Sequence, residues 1–187
     1  MLVLEQRLMR RSGQQLAREL RGVAAIVTRD LSTAERLAAV DDWITEQQPN
    51  WMLLLAAQYQ QTGTLFGRRA FRERVQRKGT YDAFLQRLER FIRLTGVEQV
   101  RRITNTTKER LRDALVAAEN EGLSIPQIAR RIRGFITGTS RLTPGLRAEV
   151  IARTETHNAA TWASDESVRE LDMPGNIMRE WVSVQDG

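Results

Sequence analysis

Ile151-Ala-Arg-Thr-Glu-Thr-His-Asn158 crowds Arg153, Thr154, Glu155, His157 and Asn158 into six positions and holds the chain's single histidine. The stretch lies inside a helical segment that opens at Thr143-Pro144 and runs to about Leu171. On a helix, positions i and i+2 point to different sides, so Glu155 and His157 part, and His157 falls beside Arg153, four residues earlier. Ala148, Ala152, Thr156, Ala159 and Ala163 line up as a second, small-residue stripe that lets another helix approach closely. A polar cluster and a small stripe on one helix predict an element enclosed on several faces.

Helical periodicity extends through most of the chain. Leu4, Leu8, Leu16, Leu20, Val23 and Val27 give a first helix over about 2–30, with Gly13 and Gly22 as sites of a bend. Ser32-Thr-Ala-Glu35 has the form of a capping box and starts a second helix running to about Gln47. Pro49 ends it and Asn50 caps a third, beginning at Trp51. The run Trp51–Ala57 is apolar all round and reads as core rather than as an interaction face. Gly63 and Gly67 interrupt this helix, and Gly79 caps its end. Thr80 starts another, with Tyr81, Phe84, Leu85, Leu88, Phe91 and Ile92 as its stripe, and Gly96 breaks it. A long helix follows to about Gly122, then one opened by the capping pattern Ser124-Ile-Pro-Gln127. After Leu171, Met173-Pro-Gly-Asn176 is a turn cluster, and Ile177–Val184 reads as a strand around Trp181. Gln185-Asp-Gly187 reads as the opening of a hairpin turn. The expected fold is mostly α: a multi-helix N-terminal region, 1–95, then a helical module, 96–187, ending in a strand or incomplete β-hairpin.

Composition narrows the function. The 187 residues contain no cysteine, which excludes disulfides and thiolate metal sites, and one histidine makes a metal centre a poor expectation. The apolar run at 51–57 falls short of the about 20 residues a membrane span needs. The net charge of +6 is uneven: residues 1–60 are neutral, 61–112 carry 14 basic and 5 acidic side chains, and 113–187 are net acidic. Lys78 and Lys108 are the only lysines. The cluster Arg68, Arg69, Arg72, Arg74, Arg77 and Lys78 is therefore the candidate contact for nucleic-acid phosphate or an acidic protein surface, against the alternative of a solvated helix face.

Other chemistries are weaker. Gly122–Arg133 looks like half of a helix-turn-helix, but a loop follows where a second helix is needed. There is no serine or cysteine nucleophile at motif spacing and no glycine-rich phosphate loop. Catalysis would fall to Glu155 and His157, which the helix separates. Arg153, Glu155, His157, Asn158 and the downstream Trp181 read instead as a structural polar brace, with Arg153 bonding backbone carbonyls or a carboxylate of the strand region.

Ile151–Asn158, with Ala160 and Trp162, and then Arg179-Glu-Trp-Val-Ser-Val-Gln-Asp-Gly187, resemble the Mu F-like minor head, or head morphogenesis, proteins of tailed phages. Ile103-Thr-Asn-Thr-Thr-Lys-Glu-Arg-Leu111 and Glu121-Gly-Leu-Ser-Ile-Pro-Gln-Ile-Ala-Arg-Arg-Ile132 are similar to that family's segments in the same order. The resemblance covers about 97–187. It implies a virion component in few copies, inside the capsid near the portal vertex after assembly in the host cytoplasm. It implies a non-enzymatic adaptor in head assembly and DNA packaging or ejection. The implied partners are the portal protein, packaged DNA, and scaffold or major capsid protein, with no cofactor and no membrane. In such proteins the tryptophan strand leads into a β-hairpin; here the sequence stops at Asp186-Gly187, so a longer natural chain is expected. Two alternatives are a virion-carried nuclease or effector enzyme using Glu155 and His157, and a cellular DNA-binding regulator.

Overall fold

The computed structural model describes residues 2–74, 78–137 and 144–169; for 70–74, 78–80, 136, 137 and 168 it describes the backbone only. Among the described residues there are six helices and no strand: α1 (Leu2–Val27), α2 (Thr33–Glu46), α3 (Gln48–Arg74), α4 (Lys78–Asn120), α5 (Ile125–Thr137) and α6 (Pro144–Arg169). The mostly helical expectation holds. The expected strand at Ile177–Val184, with Trp181, lies outside the described residues.

Local chemistry sets several boundaries. Ser32 accepts from the Glu35 amide while the Glu35 carboxylate accepts from the Ser32 amide at 2.9 Å, a complete capping box on α2. The Ser124 amide donates to Gln127 Oε1 at 2.7 Å at the start of α5, as its motif predicts. Gly122 closes α4 at φ 69°, where only glycine is unstrained; the Gly122 and Leu123 amides donate to the Glu119 and Ala118 carbonyls, forming a Schellman cap.

Other glycine readings are corrected. α3 runs unbroken past Gly63 and Gly67, and α4 past Gly96; Gly79 lies in the first turn of α4 rather than capping α3, while α1 continues through Gly13 and Gly22 as a single helix, as expected. Packing supplies the reason. A Cβ on Gly22 would lie 2.2 Å from the Trp43 ring, on Gly63 2.5 Å from Leu88, on Gly67 2.3 Å from Phe84, and on Gly96 2.9 Å from Met52. These glycines let neighbouring helices close in. Pro49 is corrected too: it occupies the first turn of α3, where its missing N–H costs little, and Asn50 is within the helix rather than its cap.

Three apolar cores result. The first joins the C-terminal half of α1 to α2, the end of α4 and α5 through Val23, Val27, Ile44, Leu111, Leu115 and Ile132. The second joins the N-terminal half of α1 to α3, mid-α4 and α6 through Leu8, Leu16, Trp51, Leu55, Val100 and Ala152. The third lies at the far end of α3, α4 and α6, around Phe84, Leu88 and Ala163. α1 thus belongs to both large cores. The position near residue 95 falls within α4, and residues on both sides of it share the second core. No helix among the described residues is long and apolar enough to cross a membrane.

Candidate functional site

α6 places the stretch 151–158 against α1 and α3. Ala148, Ala152, Thr156, Ala159 and Ala163 are all buried, so the small stripe is the docking face. Close approach there brings polar groups into contact. Thr156 Oγ1 accepts from Gln58 Nε2 at 2.9 Å, and the Tyr59 hydroxyl donates to Glu155 Oε2. Tyr59 and Glu155 are both buried, so each supplies what the other lost on leaving water.

The electrostatics follow from that burial. Desolvation raises the Glu155 carboxyl above its ordinary 4.5, opposed by hydrogen bonds from Tyr59 and Asn158 and by the charge of Arg102. Burial, reinforced by Glu155, raises the Tyr59 phenol as well. Tyr59 therefore stays neutral and acts as a donor.

Arg153, Thr154 and His157 face outward, while Asn158 is half-buried. Arg153 is exposed and pairs with Glu149 at 2.8 Å and with Glu5 of α1 at 3.7 Å. The downstream strand region expected to supply its partner lies outside the described residues. His157 is exposed, with its Nε2 3.5 Å from the Thr161 hydroxyl. The helix therefore separates Glu155 in the core from His157 in solvent. Arg153, His157 and Asn158 instead share the wall of an open surface pocket of about 410 Å³ with Glu5. Trp181, the remaining residue of the expected brace, lies outside the described residues.

A second buried polar cluster was missed in the sequence. Glu19 of α1 is fully buried; its Oε1 accepts from the Trp51 indole N–H and from Gln15 Nε2, and its Oε2 has no hydrogen-bond partner among the described residues. Desolvation raises the Glu19 carboxyl above 4.5, opposed by those two hydrogen bonds and the charge of Arg147. Arg147 donates to the Ile103 carbonyl at 2.6 Å, and burial lowers its pKa to about 10. The signal was present: Glu19 stands three residues after Leu16 and four before Val23, on the apolar stripe itself.

Of the basic cluster, Arg68 and Arg69 are exposed near the end of α3, and Arg68 Nε donates to the Tyr81 hydroxyl at 3.2 Å. Arg72 and Arg74 continue α3, and Lys78 begins α4, as backbone only; Arg77 lies outside the described residues. Among the described residues no group of three or more histidines and carboxylates is placed to hold a metal.

Comparison of the chain with known protein families, curated proteins and solved structures found no match.

Proposed function

We propose that this chain is a phage minor head protein of the Mu F-like kind, acting inside the capsid at the portal vertex as a non-enzymatic adaptor in head assembly and DNA packaging or ejection. The proposed partners are the portal protein and packaged DNA, with scaffold or major capsid protein as further assembly contacts. Four segments, in order along 97–187, support the family assignment by their resemblance. The observation that carries the non-enzymatic part is the use made of the 151–158 stretch. Glu155 and Thr156 are buried and bonded to α3, while His157 points into solvent. An acid/base pair needs both groups within reach of one substrate atom. Here one is committed to packing and the other is on the far side of the helix.

Two measurements test the reading. Localisation in intact particles should place the protein at the portal vertex in few copies; a position on the outer capsid surface would overturn the assignment. For chemistry, the purified protein should show no metal-dependent nuclease activity. Glu155→Ala should lower stability, and His157→Ala should leave it within about 0.5 kcal/mol, as expected of an exposed side chain. Nuclease activity abolished by His157→Ala in a folded protein would establish the enzyme reading instead.

A further inference from the structure

The N-terminal turns of α1 and the C-terminal part of α3 run antiparallel and leave a groove between them. Its larger section, about 730 Å³, is bounded by Leu4 and Arg7 of α1 and by Leu65, Arg68 and Arg69 of α3. A second section, about 230 Å³, adds Arg10 and Arg11 of α1 opposite Leu54 and Ala57. Arg7 and Gln61 line both, so the two sections adjoin along the same pair of helices.

Five arginines line it, and among the described residues that line it there is no carboxylate. Outside the groove, Arg102 pairs with Glu98, Arg112 with Asp41 and Arg131 with Glu121. Arg7, Arg10 and Arg11 are exposed and, among the described residues, make no ion pair. Glu5, the acid nearest to them along α1, turns to Arg153 on the other side. The spacing 7, 10 and 11 puts these three guanidinium groups on one face of α1. Three like charges on one helix face, without ion-pair partners among the described residues, are maintained at a cost in self-repulsion that an anionic polymer relieves.

From this geometry we propose that the α1–α3 groove binds the phosphate backbone of double-stranded DNA without sequence preference. From Leu54 to Arg69 the α3 wall is about 22 Å long at ~1.5 Å per residue. Laid along a duplex axis, that length covers about six base pairs at ~3.4 Å of rise each. Arginine forks suit phosphate oxygens, and Gln60, Gln61 and Thr64 add neutral donors for phosphate and sugar. None of the described lining residues is aromatic, so they offer no platform on which unpaired bases would stack. The ligand is therefore the duplex read through its backbone. The inference stands on the groove alone and does not depend on the virion assignment.

The test is fluorescence anisotropy of a short labelled duplex of mixed sequence with the purified protein across a salt series. Five phosphate contacts predict a slope of log affinity against log salt of about −4.5, equal for unrelated duplex sequences. R7Q/R10Q/R11Q should reduce the slope's magnitude by about 2.7, and R68Q/R69Q by about 1.8. R101Q/R102Q, outside the groove, should leave it unchanged. Helical content and melting temperature should match wild type in the α1 variant, because its three side chains are exposed and unpaired. Absence of duplex binding at low salt, or an unchanged slope in R7Q/R10Q/R11Q, would overturn the proposal. So would tighter binding of single strands than of duplex. Displacement of the duplex by poly-glutamate at equal charge concentration would also overturn it, in favour of an acidic protein partner.

Discussion

Two buried glutamates set the pH response of this fold. Glu19 and Glu155 both have carboxyls raised above 4.5, chiefly by desolvation. The folded state thus binds their protons more tightly than the unfolded chain does. Their contribution to stability is fully present below pH 4.5 and is lost as pH rises through the folded values. Glu19→Gln keeps an oxygen for the Trp51 and Gln15 donors and removes the charge. Urea unfolding across a pH series should show Glu19→Gln gaining stability over wild type as pH rises above 4.5, with little difference below it. Parallel curves would mean that Glu19 is not titrating in the folded protein. Glu19→Ala instead strands the Trp51 N–H and should cost about 1–3 kcal/mol for that unsatisfied donor. At this scale the sequence was half legible. Helix geometry alone separated Glu155 from His157 and aligned the small stripe of α6. It did not identify Tyr59 or Gln58 as partners, because they come from a helix about a hundred residues away in sequence.

Helix starts and stops were legible where a side chain bonds its own backbone. The capping box at Ser32, the Ser124–Gln127 bond and the left-handed Gly122 are local chemistry, and they mark two helix starts and one helix end as the sequence predicts. Glycines inside helices were misread for the opposite reason. A mid-helix glycine weakens its own segment and equally permits a neighbouring helix to approach, and only the tertiary partner tells which matters. Gly63 and Gly67 lie four residues apart on α3, against Leu88 and Phe84 of α4. Phe84 is fully buried and its ring cannot swing clear. Gly67→Ala should therefore cost about 1–3 kcal/mol by overpacking, despite the ~1 kcal/mol that alanine gains in helix propensity. Gly134 in α5 has nothing within 4 Å of an added Cβ. Gly134→Ala should stabilise by about 0.5–1 kcal/mol. Chemical denaturation of the pair checks the argument; equal signs for the two substitutions would refute the close-approach account of α3 and α4.

The whole molecule is organised around α1, which no single sequence motif announces. Its C-terminal half packs in the core with α2 and α5, its N-terminal half in the core with α3 and α6. α4, 43 residues long and about 65 Å at ~1.5 Å per residue, contributes to all three cores. Periodicity showed which residues of each helix face inward. It does not show which helices share a core, because that depends on contacts between distant segments, and so the break expected at Gly96 falls inside the continuous α4. Shared helices have a thermodynamic consequence: neither large core can lose α1 and keep its apolar surface covered, so the two should unfold together. The tryptophans report this. Trp43 packs against the first core, Trp51 is buried in the second, and Trp162 packs on the third. With 5-fluorotryptophan incorporated, the fluorine signals of these three should lose native intensity at one denaturant midpoint. Leu20→Ala, a deletion in the first core expected to cost about 2–5 kcal/mol, should move all three midpoints down by the same amount. A shift confined to Trp43 would show that the cores unfold independently and that α1 does not couple them.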